Sequence, residues 1–166
     1  MHQAISLLHR RRSIRKYTAQ PVSEEQLQML LAAAMAAPSA SNRQPWQFIV
    51  VQSRTLLDQL AEVHQYTKML KQAPLCIAVC GDASAKFWQQ DCAAATQNIL
   101  LAATGLGLGA VWLGIYPNPE PVSKVVSLLN IPGSHLPLCL ISIGHPDEHK
   151  DPANRYDAAK VHREQW

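Results

Sequence analysis

The chain has 166 residues, 48% of them hydrophobic and 16% charged, the composition of one ordinary domain that folds on its own core. That composition excludes a disordered chain or a collagen, and no apolar stretch approaches the roughly 20 residues of a membrane helix. The net charge of +3 is local: residues 9–16, HRRRSIRK, hold Arg10, Arg11, Arg12, Arg15 and Lys16 with no acid, and the remainder carries ten bases against twelve acids.

The opening MHQAISLLHRRR has too short an apolar run for a signal peptide, and its basic residues follow that run. A cytoplasmic protein is therefore expected. Ala4–Arg10 has the periodicity of a short helix, and Pro21 holds Gln20 extended. Ser23-Glu24-Glu25-Gln26 is a capping box, with Leu27, Leu30, Leu31 and Ala34 following at helical spacing until Pro38. PSASNRQPW then reads as a polar loop, with Trp46 as a core anchor. Strands are expected at Gln47–Val51, Leu75–Cys80, Ala110–Leu113 and Leu136–Ile143. Helices are expected at Arg54–His64, Gln89–Thr104 and Pro119–Leu129. Helices mixed with short central strands give an α+β or α/β plan, one sheet covered by helices, over 1–166 as a single domain. The polar tail after Gly144 has no pattern of its own, so it wraps this domain or docks on a partner chain.

Several motifs are weaker than they look. Gly105, Gly107 and Gly109 follow a helix and precede a strand, the reverse of a dinucleotide-binding turn, and suit a helix cap and a tight turn. His145-Pro-Asp-Glu-His149 reads as a polar loop, since Pro146 opposes the helix that would align two metal ligands, and no metal is expected. Cys76 and Cys80, four strand residues apart, are about 13 Å from each other and cannot bridge. All four cysteines read as buried reduced thiols. No G-x-S-x-G elbow or cysteine nucleophile context is present.

Two segments carry chemistry. In RRRSIRKY, guanidinium forks and the Ser13 hydroxyl suit a phosphate. Basic surface for nucleic acid would spread along one face, so a nucleic-acid partner is not expected. PSASNRQPW offers hydroxyls and amides in a constrained loop. Together they describe a site for a phosphorylated, hydroxylated, planar ligand, and FMN has those parts.

Arg11-Arg12-Ser13-Ile14-Arg15-Lys16-Tyr17, then Pro21-Val22, then Ala37-Pro38-Ser39-Ala40-Ser41-Asn42-Arg43-Gln44-Pro45-Trp46, resembles the nitroreductase family of FMN-dependent oxidoreductases. The glycine-rich run Gly105–Gly114, and Gly144-His145-Pro146 followed by Asn154-Arg155-Tyr156, are similar to later segments of that family. The resemblance implies an α+β sandwich with a central, mainly antiparallel sheet flanked by helices. It also implies a homodimer with FMN at the interface and the C-terminal tail exchanged across it. Arg11, Ser13 and Arg155 would hold the phosphate, with Arg12 alongside. Arg15 would face the pyrimidine edge and tune the flavin. Pro38, Ser39, Ser41, Asn42 and Gln44 would reach the cofactor from the partner chain. The backbone of Trp112, Leu113 and Gly114 would pass the ring near N5, with Lys68 as a second nearby cation.

The implied activity moves reducing equivalents from NADH or NADPH through flavin N5 to a nitroaromatic, quinone or other small electron acceptor, with ping-pong kinetics. No side chain serves as nucleophile or strong base, because the cofactor carries the chemistry. The alternatives are a non-catalytic flavin-binding protein, or a family member with other flavin chemistry such as dehalogenation or flavin cleavage. Two departures stand out. The segment between Gly81 and Asp91 is short, which opens the pocket. Ala153 stands where many relatives have a lysine, leaving Lys150 or Arg12 to compensate.

Overall fold

The computed structural model describes residues 2–166. Its elements run α1 (Gln3–Arg10), α2 (Glu24–Met35), β1 (Trp46–Val51), α3 (Arg54–Leu60), β2 (Leu75–Asp82), α4 (Trp88–Gly105), β3 (Gly109–Gly114), α5 (Pro119–Leu129) and β4 (His135–Gly144). The capping box forms as expected: the Gln26 N–H donates to Ser23 Oγ (3.1 Å) and the Ser23 N–H to Gln26 Oε1 (3.0 Å).

One expected helix is shorter. α3 stops at Leu60 instead of reaching His64. The hydroxyl of buried Thr67 bonds the carbonyls of Ala61 (3.0 Å) and His64 (2.7 Å), so these groups close a tight turn instead of continuing the helix. His64 is thereby set in a loop.

The four strands are antiparallel in the order β1-β2-β4-β3. α2 and α4 cover one face, against Leu75, Ile77 and Val79 of β2 and Cys139, Ile141 and Ile143 of β4. The helical region 57–73 and α5 cover the other, against Cys76, Ala78 and Cys80 of β2 and Val111 and Leu113 of β3. The period of two along β2 thus feeds two cores, and an antiparallel sheet buried on both sides reads as a continuous apolar run. Trp46 is buried in the first core, the anchor expected of it. All four cysteines are free and buried. Burial pushes the thiols of Cys76, Cys80 and Cys92 up to about 12 and raises Cys139 as well. Such thiols are inert at neutral pH.

Three features bear on the site. β1 and β3 lie at opposite edges of the sheet. α1 buries none of its residues and leaves Ile5 and Leu8 about half exposed. Residues 154–166 are exposed throughout, including Tyr156, Val161 and Trp166. No helix among the described residues is long and apolar enough to cross a membrane.

Candidate active site

Arg11–Lys16 leaves α1 as extended chain laid against the free edge of β3. Ser13 forms a parallel bridge with Ala110, and the Ile14 N–H donates to the Ala110 carbonyl (3.0 Å). Gly109 makes this approach possible, since a Cβ there would sit 2.5 Å from Ile14 Cγ2. Tyr17 anchors the far end: its buried hydroxyl donates to the carbonyls of Ile14 (2.6 Å) and Ser142 (3.2 Å). In extended chain successive side chains point to opposite sides. Arg12 and Ile14 accordingly line one cleft, with Glu148 and Lys150. Arg15 lines another, with His64, Tyr66, Trp112, Leu113 and Gly114.

That second cleft, about 440 Å³, borders an unpaired strand edge. The Ala110 carbonyl points away from β4, toward Ile14. By the same alternation the N–H and C=O of Trp112 and of Gly114 also face outward. The Gly114 carbonyl meets His64 Nε2 at 3.1 Å. Its N–H, and both polar groups of Trp112, are left on the open edge beside Arg15. Gly114 has nothing within 4 Å of where a Cβ would stand, so no protein contact requires a glycine there.

The residues after β4 return along the same segment. The Thr18 N–H donates to the His145 carbonyl (2.9 Å), the Asp147 N–H to Lys16 (2.9 Å), and the Ala153 N–H to His9 (2.9 Å). Glu148 Oε1 accepts the Arg15 N–H at 2.6 Å. Lys150 Nζ donates to the Ser13 carbonyl (2.6 Å) and pairs with Glu148 (3.2 Å). Arg12 donates to the Asp151 carbonyl. The 145–149 stretch is not helical, so its two histidines do not share a helix face.

This return brings the charge of Arg155 within reach of Arg11. The Arg11 guanidinium is held below the usual arginine range, first by burial, then by the charges of Arg155 and Arg12. Among the described residues none of these three guanidinium groups is in an ion pair with a carboxylate, an arrangement suited to an anion. Lys150 and Arg12, expected to stand in for the lysine missing at Ala153, differ in outcome. Lys150 is committed to Ser13 and Glu148, whereas the charge of Arg12 still reaches Arg11. Lys68 pairs with Glu62 and does not line the cleft of Arg15.

The loop before β1 is strained and internally braced. Ser41, Asn42 and Gln44 all hold positive φ (52°, 54° and 50°), uncommon for residues other than glycine. The Gln44 N–H donates to Ser39 Oγ (3.0 Å), Gln44 Nε2 to Asn42 Oδ1 (2.9 Å), and the Ala40 N–H to Oδ1 of the buried Asp91 (3.0 Å). Strain fixed this way is characteristic of ligand clamps. Within one chain, however, the loop enters β1, and β2 and β4 separate it from β3, an offset of about 14 Å. The chain gathers Arg11, Arg12 and Arg155, and gathers Arg15 with Trp112–Gly114. It does not bring Pro38–Gln44 to them.

A sequence pattern described as the Nitroreductase family matches residues 8–65 and 62–145. The chain belongs to the nitroreductase family. A relative from Methanothermobacter thermautotrophicus, with the provisional name NADH dehydrogenase/NAD(P)H nitroreductase, is 46% identical over 160 residues, covering 94% of this chain and 84% of the relative. A crystal structure from Parabacteroides distasonis under the same provisional name superposes with a TM-score of 0.97 at 41% identity, over the whole of both chains. An FMN-dependent nitroreductase from Clostridium difficile superposes with a TM-score of 0.93 at 34% identity, covering 98% of this chain and 99% of that one.

The nitroreductase sandwich expected from the sequence is therefore the fold of this chain. Three residues that shape the site were not among the expected ones: Glu148 and Asp91 fix backbone at Arg15 and Ala40, and His64 caps the β3 edge. Lys150, expected near the phosphate, fixes Ser13 instead. The HPDEHK run flagged Glu148 only as a poor metal motif. Asp91 lies in the first turn of an alanine-rich helix, with no spacing that links it to residue 40.

Proposed function

We propose that this chain is an FMN-dependent NAD(P)H oxidoreductase that reduces a small electrophile such as a quinone or nitroaromatic, working as a cytoplasmic homodimer. The observation that carries the reading is the open β3 edge: the N–H groups of Trp112 and Gly114 face a cleft that also holds Arg15. The residues fit the cofactor. Arg11 and Arg155, with Arg12 adding its charge, suit a phosphate dianion. Ser13 lies next to them in the same extended segment. Unfilled space over Gly114 suits a flat ring passing close to backbone.

When bound, FMN supplies the two-electron relay between nicotinamide and acceptor. The chain's own residues orient it. Arg15 places a permanent positive charge in the ring cleft, which favours negative charge there on reduction. Glu148, by holding the Arg15 N–H, fixes that segment. The edge N–H groups of Trp112 and Gly114 donate to a ring-edge acceptor. Pro38, Ser39, Ser41, Asn42 and Gln44 supply their hydroxyls and amides from the second copy. That assignment rests on the two sheet edges lying too far apart to meet within one chain. The bare α1 face and the exposed tail give the second copy its docking surfaces, with Tyr156, Val161 and Trp166 as apolar anchors.

The test is anaerobic. Purified protein is mixed with NADH, and separately with NADPH, while the flavin spectrum is followed. Bleaching by one of them, reversed by a quinone, is the expected result. Bound FMN that neither nucleotide reduces would overturn the oxidoreductase reading.

A further inference from the structure

His64 stands in the wall of the ring cleft with both ring nitrogens engaged. The Tyr66 backbone N–H donates to Nδ1 (3.0 Å), and Nε2 meets the Gly114 carbonyl (3.1 Å). A backbone amide only donates and a carbonyl only accepts. The partners therefore assign one state: a neutral imidazole with its proton on Nε2. The ring also packs edge-on against the Tyr66 ring, with centroids 5.8 Å apart at 68°. The loop behind it is tied by Thr67, whose N–H donates to the His64 carbonyl (3.1 Å). Nothing packs where a side chain on Gly114 would be. The bond from His64 is the contact that fixes its carbonyl.

We propose that His64 is a positioning residue: its neutral imidazole locks the 64–67 loop to the Gly114 carbonyl and so sets the wall, formed by Tyr66, that an electron acceptor meets. The assignment rests on the oxidoreductase reading of the cleft. A second proton on His64 puts a donor at Nδ1 opposite the Tyr66 N–H, and two donors cannot bond. The Tyr66 N–H then loses its acceptor and the wall that Tyr66 forms loosens, while Nε2–H still donates to the Gly114 carbonyl. The charged groups around the ring are mixed in sign. Arg15 faces it from the extended segment, while Glu62 and Lys68 from its own loop region and Glu120 and Lys124 from α5 line the cleft on its other side. The phenol of Tyr66 is the remaining titratable neighbour.

Glutamine can donate from Nε2 and accept at Oε1 without titrating, whereas phenylalanine keeps a ring and loses both bonds. The measurements are kcat and KM for 1,4-benzoquinone with saturating reduced nucleotide, from pH 5.5 to 8, on flavin-loaded wild type, His64→Phe and His64→Gln. Loss of a bond worth about 1–1.5 kcal/mol raises KM roughly tenfold in His64→Phe, with kcat and flavin content little changed. His64→Gln restores most of the loss. Equal KM in wild type and His64→Phe would overturn the proposal. A fall in flavin content and melting temperature alone would do the same, because it marks a merely structural role. Nitrogen-15 NMR of wild-type protein gives a readout free of turnover. The Nε2–H tautomer with a protected Tyr66 amide at pH 7.5 is expected, and an Nδ1–H tautomer would refute it. Protein that shows this tautomer but oxidises no nucleotide would fail the oxidoreductase reading alone.

Discussion

The charge of Arg155 acts on Arg11, two like charges brought within reach of each other from opposite ends of the chain. After burial, the field of Arg155 is the largest influence holding the Arg11 guanidinium below its usual range. Such a repulsion opposes folding of the empty protein and favours a bound anion. Arg155→Ala is therefore expected to leave the melting temperature of flavin-free protein unchanged or slightly raised. Flavin affinity should fall about tenfold or more, the worth of a charge-assisted phosphate contact of roughly 1.5–3 kcal/mol. Flavin content after purification and a thermal melt of the stripped protein check both halves. A destabilised apoprotein with normal flavin content would make Arg155 a structural residue.

The glycines sort by what a methyl group would meet. At Gly109 it would strike Ile14 at 2.5 Å, and at Gly144 it would strike Pro74 (2.7 Å) and Tyr17 (2.9 Å). At Gly114 it meets nothing. Gly109→Ala and Gly144→Ala are expected to cost about 1–3 kcal/mol through overpacking. Gly114→Ala should leave the flavin-free protein as stable as wild type and lower flavin affinity, because the space belongs to the ring. Urea unfolding of stripped protein, with flavin titration of each variant, separates the two classes. Normal flavin affinity in Gly114→Ala would remove the ring from this edge.

The order of elements was legible in the sequence because each carries its own local signal: the Ser23 capping box, the apolar runs of β2 and β4, Gly107 at φ +74° after α4. The anion site was legible for a similar reason, since HRRRSIRK concentrates charge without acids. Two things were not. α3 ends early through local side chain–backbone bonds from Thr67, which no helical pattern announces. The bracing residues Asp91, Glu148 and His64 act on backbone groups far along the chain, and a side chain–backbone bond leaves no complementary residue type to find.

Glu148 gives the site a pH dependence. The Arg15 N–H holds its carboxyl below the usual carboxylate range, with Lys150 adding to the effect. A depressed folded value means that the folded state favours the carboxylate. The contribution is complete above about pH 4.5 and is lost as pH falls through the lower, folded value. Glu148→Gln should lose stability at pH 7, since its amide oxygen accepts the Arg15 N–H without charge and cannot pair with Lys150. The gap from wild type should close toward pH 3. Thermal melts across pH 3–7 measure it, and a gap that does not narrow in acid would show that the carboxylate charge plays no part.

The division of residues between the two sheet edges makes a sharper demand. If the site of one chain is completed by the Pro38–Gln44 loop of a second, each site draws Arg155 and Asn42 from different chains. Homodimers of Arg155→Ala and of Asn42→Ala should then each lose flavin. In a heterodimer of the two variants, one site collects both defects and the other collects neither. Co-expression with separate affinity tags, followed by purification on both, should recover about half the wild-type flavin per dimer. Sites built within single chains would leave one defect in each, and the heterodimer would hold no more flavin than its parents. The left-handed backbone at Asn42 adds an independent check, since Asn42→Gly relieves that strain while removing the amide. It should stabilise the flavin-free protein by about 0.5–1 kcal/mol and yet complement Arg155→Ala just as Asn42→Ala does.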